Sequence, residues 1–273
     1  MGNSDTLLDT PNTHEEVLQF QVGGLSSQTY RVFIPNNCTF NSNSSVLVCI
    51  HGISRRSKEQ IQLLRKDAKE NSTILIAPLF DSHYHPSYQR HKIGVDGQRS
   101  DQVLNNIIAD VEQRFDLRIE QFDLFGFSGG AQFAHRYALR YPKKISKLIC
   151  CAAGWYTFPD SQLAFPYGIA ANNDLKFMLD PADEQLAAFL KIPITIAVGE
   201  YDKHPDPSIN RTKKVNKQQG FNRIERAARW ANALLEQGER LGLKPQLRFV
   251  LLPQSSHSFT ECVSYGRLSP YIF

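Results

Sequence analysis

The segment Gly126-Phe127-Ser128-Gly129-Gly130 sets a serine among glycines directly after an apolar run, Phe122 to Phe127. A serine hydroxyl is a weak nucleophile. It attacks a carbonyl carbon only when a base takes its proton and a third group orients that base. The Gly-x-Ser-x-Gly spacing suits a strand that turns abruptly into a helix. Small neighbours let the backbone hold the serine in a strained conformation, with its hydroxyl exposed above the sheet edge. Gly129, Gly130, Ala131 and Ala134 supply those small neighbours.

A base for this serine is expected further along the chain. His257 lies in Gln254-Ser255-Ser256-His257-Ser258-Phe259, after the last apolar run, and is the only one of the eight histidines placed there. Between serine and histidine, Ile194 to Val198 runs into Gly199-Glu200-Tyr201-Asp202. Asp202, at the tip of that turn, has the reach to hold the imidazole in one tautomer and to stabilise the imidazolium. Glu200 competes for the same role from a position closer to the strand, and Asp206 is a third carboxylate in the loop. The oxyanion that develops needs donors already in place, each worth roughly 3 to 4 kcal/mol in the transition state. One is the amide of Gly129, at a helix start where the dipole favours negative charge. The other is the amide of Ile53, in the turn His51-Gly52-Ile53-Ser54. His51 itself reads as a packing residue of that turn.

Two further groupings invite chemistry. Asp81, His83, His85 and His91 carry metal-ligand side chains. They read as a polar loop over the site, because serine chemistry needs neither metal nor cofactor and no firm third spacing is present. Lys203 to Lys217 holds five Lys or Arg against one Asp. It reads as a solvated basic loop that would attract an anionic substrate or acidic partner at most.

The elements that must position these residues follow an α/β pattern. Glu16 to Val22 and Thr29 to Ile34 read as strands around Gly23-Gly24 and predict an antiparallel hairpin. Then come short continuous apolar runs, Val46 to Ile50, Thr73 to Ala77, Phe122 to Phe127, Lys147 to Ala153, Ile194 to Val198 and Leu247 to Leu252. Such runs mark parallel strands buried on both faces. Helical periodicity fills the gaps: Ser57-Lys58-Glu59-Gln60 predicts a capping box, Val103 to Phe115 a second stripe, and Ile224, Ala227, Ala228, Ala231, Leu234 and Leu235 a third. The expected fold is a mostly parallel sheet of about eight strands with helices on both faces. The chain reads as a single domain over 1–273, with irregular inserts at 80–99 and 156–190, the second a small cap. Trp155 and Tyr156, with Phe158, Phe165 and Tyr167 beyond them, are expected to border the substrate pocket.

Composition narrows the class. The chain of 273 residues has 31 Lys plus Arg against 27 Asp plus Glu, and a balance of +4 argues against a nucleic-acid partner. Hydrophobic residues at 41% exclude a disordered chain. No apolar run is long enough for a membrane span. The N-terminal segment has neither the basic start nor the apolar run of a signal peptide, so a cytoplasmic protein is expected. Five cysteines, three of them inside apolar runs, do not suggest a disulfide framework.

In their order along the chain, His51-Gly52, the Gly126 to Gly130 elbow, the Gly199 to Asp202 turn and the Ser255-Ser256-His257 loop resemble the α/β-hydrolase superfamily. The hairpin, the Ala153-Gly154-Trp155 stretch and the modest size look similar to its esterase and polyhydroxybutyrate-depolymerase-like group. The resemblance implies Ser128 as nucleophile, Asp202 as acid, His257 as base, and an acyl-enzyme resolved by water. The expected activity is hydrolysis of a small-molecule carboxylic ester. A serine peptidase of the same fold and a binding protein without turnover are the competing expectations. Oligomeric state has no signature in the sequence.

Overall fold

A computed structural model describes residues 16–36, 38, 45–170, 182–204 and 206–273. The N-terminal hairpin pairs β1 (Val17–Gln21) with β2 (Thr29–Phe33). Beyond it the chain alternates β3 (Ser45–Ile50), α1 (Ser57–Glu70), β4 (Thr73–Leu79), α2 (Ser100–Phe115), β5 (Phe122–Phe127), α3 (Gly129–Arg140) and β6 (Ile145–Cys151). It continues through α4 (Ala182–Leu190), β7 (Ile194–Gly199), α5 (Lys213–Gln219), α6 (Arg223–Arg240), β8 (Leu247–Leu252), α7 (Phe259–Ser264) and α8 (Ser269–Ile272). One eight-stranded sheet results, in the order β1-β2-β4-β3-β5-β6-β7-β8. Only the hairpin pairings and β2 with β4 are antiparallel.

The continuous apolar runs are explained by burial on two faces. Val46, Val48 and Ile50 of β3 enter one core with α2, α3, α4 and α6, while Leu47 and Cys49 enter the other with α1, α7 and α8. Each such side chain contributes roughly 1.5 to 3 kcal/mol of transfer free energy. A strand with period two and no polar face has to lie between helical layers.

Three expectations change on contact with the structure. Ser57 is the first residue of α1, not its cap, and its hydroxyl accepts from Arg31 at 2.6 Å. Gln60 donates instead to the Ile50 carbonyl at 3.1 Å, so no capping box forms. The buried face of α6 runs through Arg223, Arg226, Ala227, Trp230, Ala231 and Leu234, leaving Leu235 exposed. Lastly, the segment expected as a cap is divided. Residues 156–170 form an irregular loop and 171–181 lie outside the described residues, but α4 sends Leu186, Phe189 and Leu190 into the main core. The Asn/Ser-rich loop 36–45 is likewise largely outside them. All five thiols are free. Among the described residues no helix is long and apolar enough to cross a membrane.

Candidate active site

Every parallel strand ends at the same edge of the sheet, and the residues singled out by their chemistry sit on the turns that follow them. Ser128 follows β5. It adopts φ 55° and ψ −113°, a conformation that costs a non-glycine residue on the order of 1 to 3 kcal/mol. The crowding around it explains the glycines: a Cβ on Gly126 would strike the Gly130 carbonyl, and one on Gly130 would strike that of Ile50. The strand can then turn into α3 within a single residue. The Ser128 amide is tied to the Cys151 carbonyl at 2.8 Å, which locks the turn to β6.

His257 is carried on the loop after β8. Its Nε2 lies 3.0 Å from Ser128 Oγ, and its Nδ1 donates to Asp202 Oδ2 at 2.7 Å. That pairing leaves the Nε2 lone pair facing the hydroxyl, the tautomer a base requires. The loop is fixed from below: Tyr201 N donates to the Ser255 carbonyl at 2.9 Å, and Glu261 accepts from both Ser256 N and Ser256 Oγ. Phe127 stacks on the imidazole with centroids 5.2 Å apart. Glu200, the competing carboxylate, turns away and accepts from Gln254 N at 2.7 Å.

Asp202 has a partner that sequence reading missed. Arg223, the first residue of α6, is buried and donates through Nη1 to Asp202 Oδ1 at 2.8 Å and to Asp206 Oδ2 at 2.5 Å. Its Nη2 reaches Ser208 Oγ at 2.8 Å. Burial opposes charge on Asp206, but the hydrogen bonds from Arg223 and Ser208 outweigh it and hold the carboxyl well below the usual range. The carboxylate of Asp202 is thereby fixed on both oxygens. Arg226, one turn on, donates to the carbonyls of Gly154, Asn210 and Gly220 and so ties three loops of the site together. Basic residues in the first turn work against the helix dipole. That was the one trace in the sequence that these arginines serve something other than solvent.

The amides of Ile53 and Gly129 lie side by side. A Cβ built on Gly129 would come 3.3 Å from Ile53 N and 2.7 Å from Ile53 Cγ2, so the close approach requires glycine. Among the described residues neither amide has a hydrogen-bond partner. His51 is buried behind them, its Nδ1 against the Gly52 carbonyl at 2.8 Å and its Nε2 accepting from Phe80 N at 3.0 Å. Burial pulls this imidazole down to about 4, so it stays neutral and props the turn.

A cavity of about 790 Å³ reaches the Ile53 turn, lined by Ile53, Gln132 and Trp155 on one side and by the loop after β4 on the other. Phe165 and Tyr167 line it as well. Tyr156 does not border it. Its ring stacks on Trp230 at 4.5 Å in the core, because successive residues after β6 point to opposite sides. The histidines of the 80–99 segment are not brought together: His83 N donates to Asp81, His85 is buried beside Asp96, and His91 bonds the Phe133 carbonyl. The basic segment 203–217 sends Ser208, Asn210 and Thr212 to the cavity wall and Lys214 over the Tyr167 ring at 3.9 Å.

Solved structures share this arrangement of elements at low identity. A poly(aspartic acid) hydrolase from Sphingomonas sp. KT-1 superposes with a TM-score of 0.79 at 20% identity, over 95% of this chain and 99% of that one. A poly(3-hydroxybutyrate) depolymerase from Bordetella parapertussis gives 0.73 at 21% identity, over 89% and 85%. A fluorophosphonate-binding serine hydrolase from Staphylococcus aureus gives 0.58 at 14% identity, over 95% and 98%. No curated protein sequence matches the chain. The sequence model of the α/β-hydrolase fold matches residues 24–239. With that match and with the sheet order described above, the chain belongs to the α/β-hydrolase family.

Proposed function

We propose that the chain is a serine hydrolase acting on carboxylic esters through an acyl-enzyme. The observation that carries this reading is the run Ser128 Oγ, His257, Asp202 at 3.0 Å and 2.7 Å, beside two amides with no other partner. His257 Nε2 takes the hydroxyl proton as Ser128 Oγ attacks the ester carbonyl. Asp202 stabilises the imidazolium that forms. The carbonyl oxygen, now negative, is received by the amides of Ile53 and Gly129. His257 then gives its proton to the leaving alkoxide, and the alcohol departs. Water, deprotonated by the same imidazole, attacks the acyl-enzyme and releases the acid. No step calls for a cofactor. Free thiols fit a reducing compartment, and a cytoplasmic setting is part of this reading.

The test is labelling with a fluorophosphonate probe, together with turnover of para-nitrophenyl esters and of aminoacyl-nitroanilides. Wild type is expected to label and to cleave esters, and Ser128→Ala to do neither. His257→Ala is expected to lower kcat by several orders of magnitude, and Asp202→Asn by about ten-thousandfold through loss of the correct tautomer. Folded wild type that does not label removes the hydrolase reading. Preference for the anilides replaces the esterase by a peptidase, and full activity in Asp202→Asn moves the acid elsewhere.

A further inference from the structure

The cavity next to the elbow carries positive charge on its wall, and that charge is only partly compensated. Arg90, Lys92 and Arg99 are on its wall, with no Asp or Glu among the lining residues. Arg99 is paired with Asp101 at 3.0 Å. Arg90 has no acidic partner among the described residues, and its buried Nε makes no hydrogen bond. Directly behind the wall lies Arg136, 0% exposed, its guanidinium 4.5 Å from the ring centre of Trp155 and 6.0 Å from that of Phe165. Its Nη1 donates to the Gln89 carbonyl at 2.6 Å and its Nε to Thr157 Oγ1 at 2.9 Å, while Nη2 is buried without a partner. Burial, and then the positive charge of Arg90, pull the Arg136 guanidinium down to about 9. Two guanidinium groups thus repel each other across a wall with no acid between them, an arrangement that is costly unless an anion arrives from outside.

The position of this charge along α3 gives a length. Ser128 stands at the start of α3, and Gln132 and Arg136 follow it along the helix at steps of four residues. At 1.5 Å per residue Arg136 stands roughly 12 Å from Ser128 along the axis. Gln132 lies between them on the cavity wall. The direction follows from proton transfer. The leaving alkoxide has to be within reach of His257, and a smaller cavity of about 210 Å³ is lined by His257, Phe127 and Gly52. The alcohol belongs there, which assigns the larger cavity to the acyl half.

We propose that the larger cavity takes an acyl chain ending in a carboxylate, which is held by Arg90 on the cavity wall, with the buried charge of Arg136 behind that wall adding to the attraction, while the scissile carbonyl lies at Ser128. This rests on the ester-hydrolase reading and names its substrate class. The experiment compares the mono-para-nitrophenyl ester of suberate with para-nitrophenyl octanoate. The anionic ester is expected to show a KM lower by about tenfold or more with similar kcat, as a charge-assisted hydrogen bond provides. Added salt should shrink the advantage. Arg90→Gln should bring the KM ratio of the two esters close to one. Arg90 is chosen because Arg136 is packed too deeply to replace without disturbing α3. An octanoate ester cleaved with an equal or lower KM overturns the carboxylate assignment and leaves the hydrolase reading intact. Failure of both esters, with no fluorophosphonate label, overturns the hydrolase reading itself. Calorimetric titration with suberate reads the anion site without turnover: saturable binding lost in Arg90→Gln supports it, and no binding overturns it. Tighter binding of inorganic phosphate than of suberate would reassign the site to a phosphoryl group.

Discussion

Asp202 accepts from His257 on one oxygen and from Arg223 on the other, so the guanidinium decides where the carboxylate points. Arg223 touches neither Ser128 nor the cavity and acts as a positioning residue. Arg223→Ala leaves two carboxylates facing each other, one of them buried. Breaking a buried ion pair from one side costs about 3 to 5 kcal/mol. The expected result is a marked loss of stability in urea unfolding, together with a drop of about tenfold or more in kcat/KM. The loss should fall on kcat with KM nearly unchanged, because Arg223 bonds the carboxylate beside His257 and does not line the cavity. Arg223→Lys should recover part of the activity, since a point charge replaces the fork but not its geometry. An unchanged kcat in a folded Arg223→Ala would assign Arg223 to stability alone. At this scale Ser128, Asp202 and His257 were legible because each stands in a turn directly after an apolar run. Arg223 was not, because a charged residue on an amphipathic helix reads as solvent-facing.

The elbow between β5 and α3 works as an element, and its glycines are not equivalent to others nearby. Gly130→Ala would press a methyl group onto the Ile50 carbonyl, which is backbone of the central strand and cannot yield. Overpacking of this kind costs about 1 to 3 kcal/mol or more, and here it also displaces the serine. Thermal denaturation should show a lower Tm, with fluorophosphonate labelling lost. Gly154→Ala is the contrast. Its new methyl group meets first the Nε2 of Gln132 at 3.0 Å, the end of a flexible side chain, so fold and labelling should both persist. Equal damage from the two substitutions would mean that the elbow is not specially constrained. The strands were readable in sequence because burial on both faces leaves continuous apolar runs, as in Leu47 to Ile50. The loops were not, since their conformations are set by tertiary bonds without a period. Tyr156, whose backbone N and O are both held by the Gln219 side chain, is a case in point.

For the molecule as a whole, the buried histidines His51, His85, His91 and His135, all held below their ordinary range by burial, set its response to acid. Burial pulls His51 down to about 4 and His91 to about 3, and places His135 well below its ordinary range. In the unfolded chain each has a pKa of about 6.5. Below that value the unfolded state therefore binds more protons, and stability falls as the pH falls. For His51 the loss develops between about pH 6.5 and pH 4, and for His91 it continues to about pH 3. Each contributes up to about 1.4 kcal/mol per pH unit within its window. Urea-unfolding midpoints should decline steadily from pH 6.5 downwards, whereas a midpoint constant to about pH 5 would refute this. A different tension resides in the φ of 55° at Ser128. A glycine there would relax the backbone by about 1 kcal/mol, and an alanine would inherit the strain. Both replacements lack the proposed nucleophile, yet Ser128→Gly should melt about 2 °C above Ser128→Ala. The fold would be sturdier with glycine at this position, so the proposed activity and thermal endurance compete at a single dihedral angle.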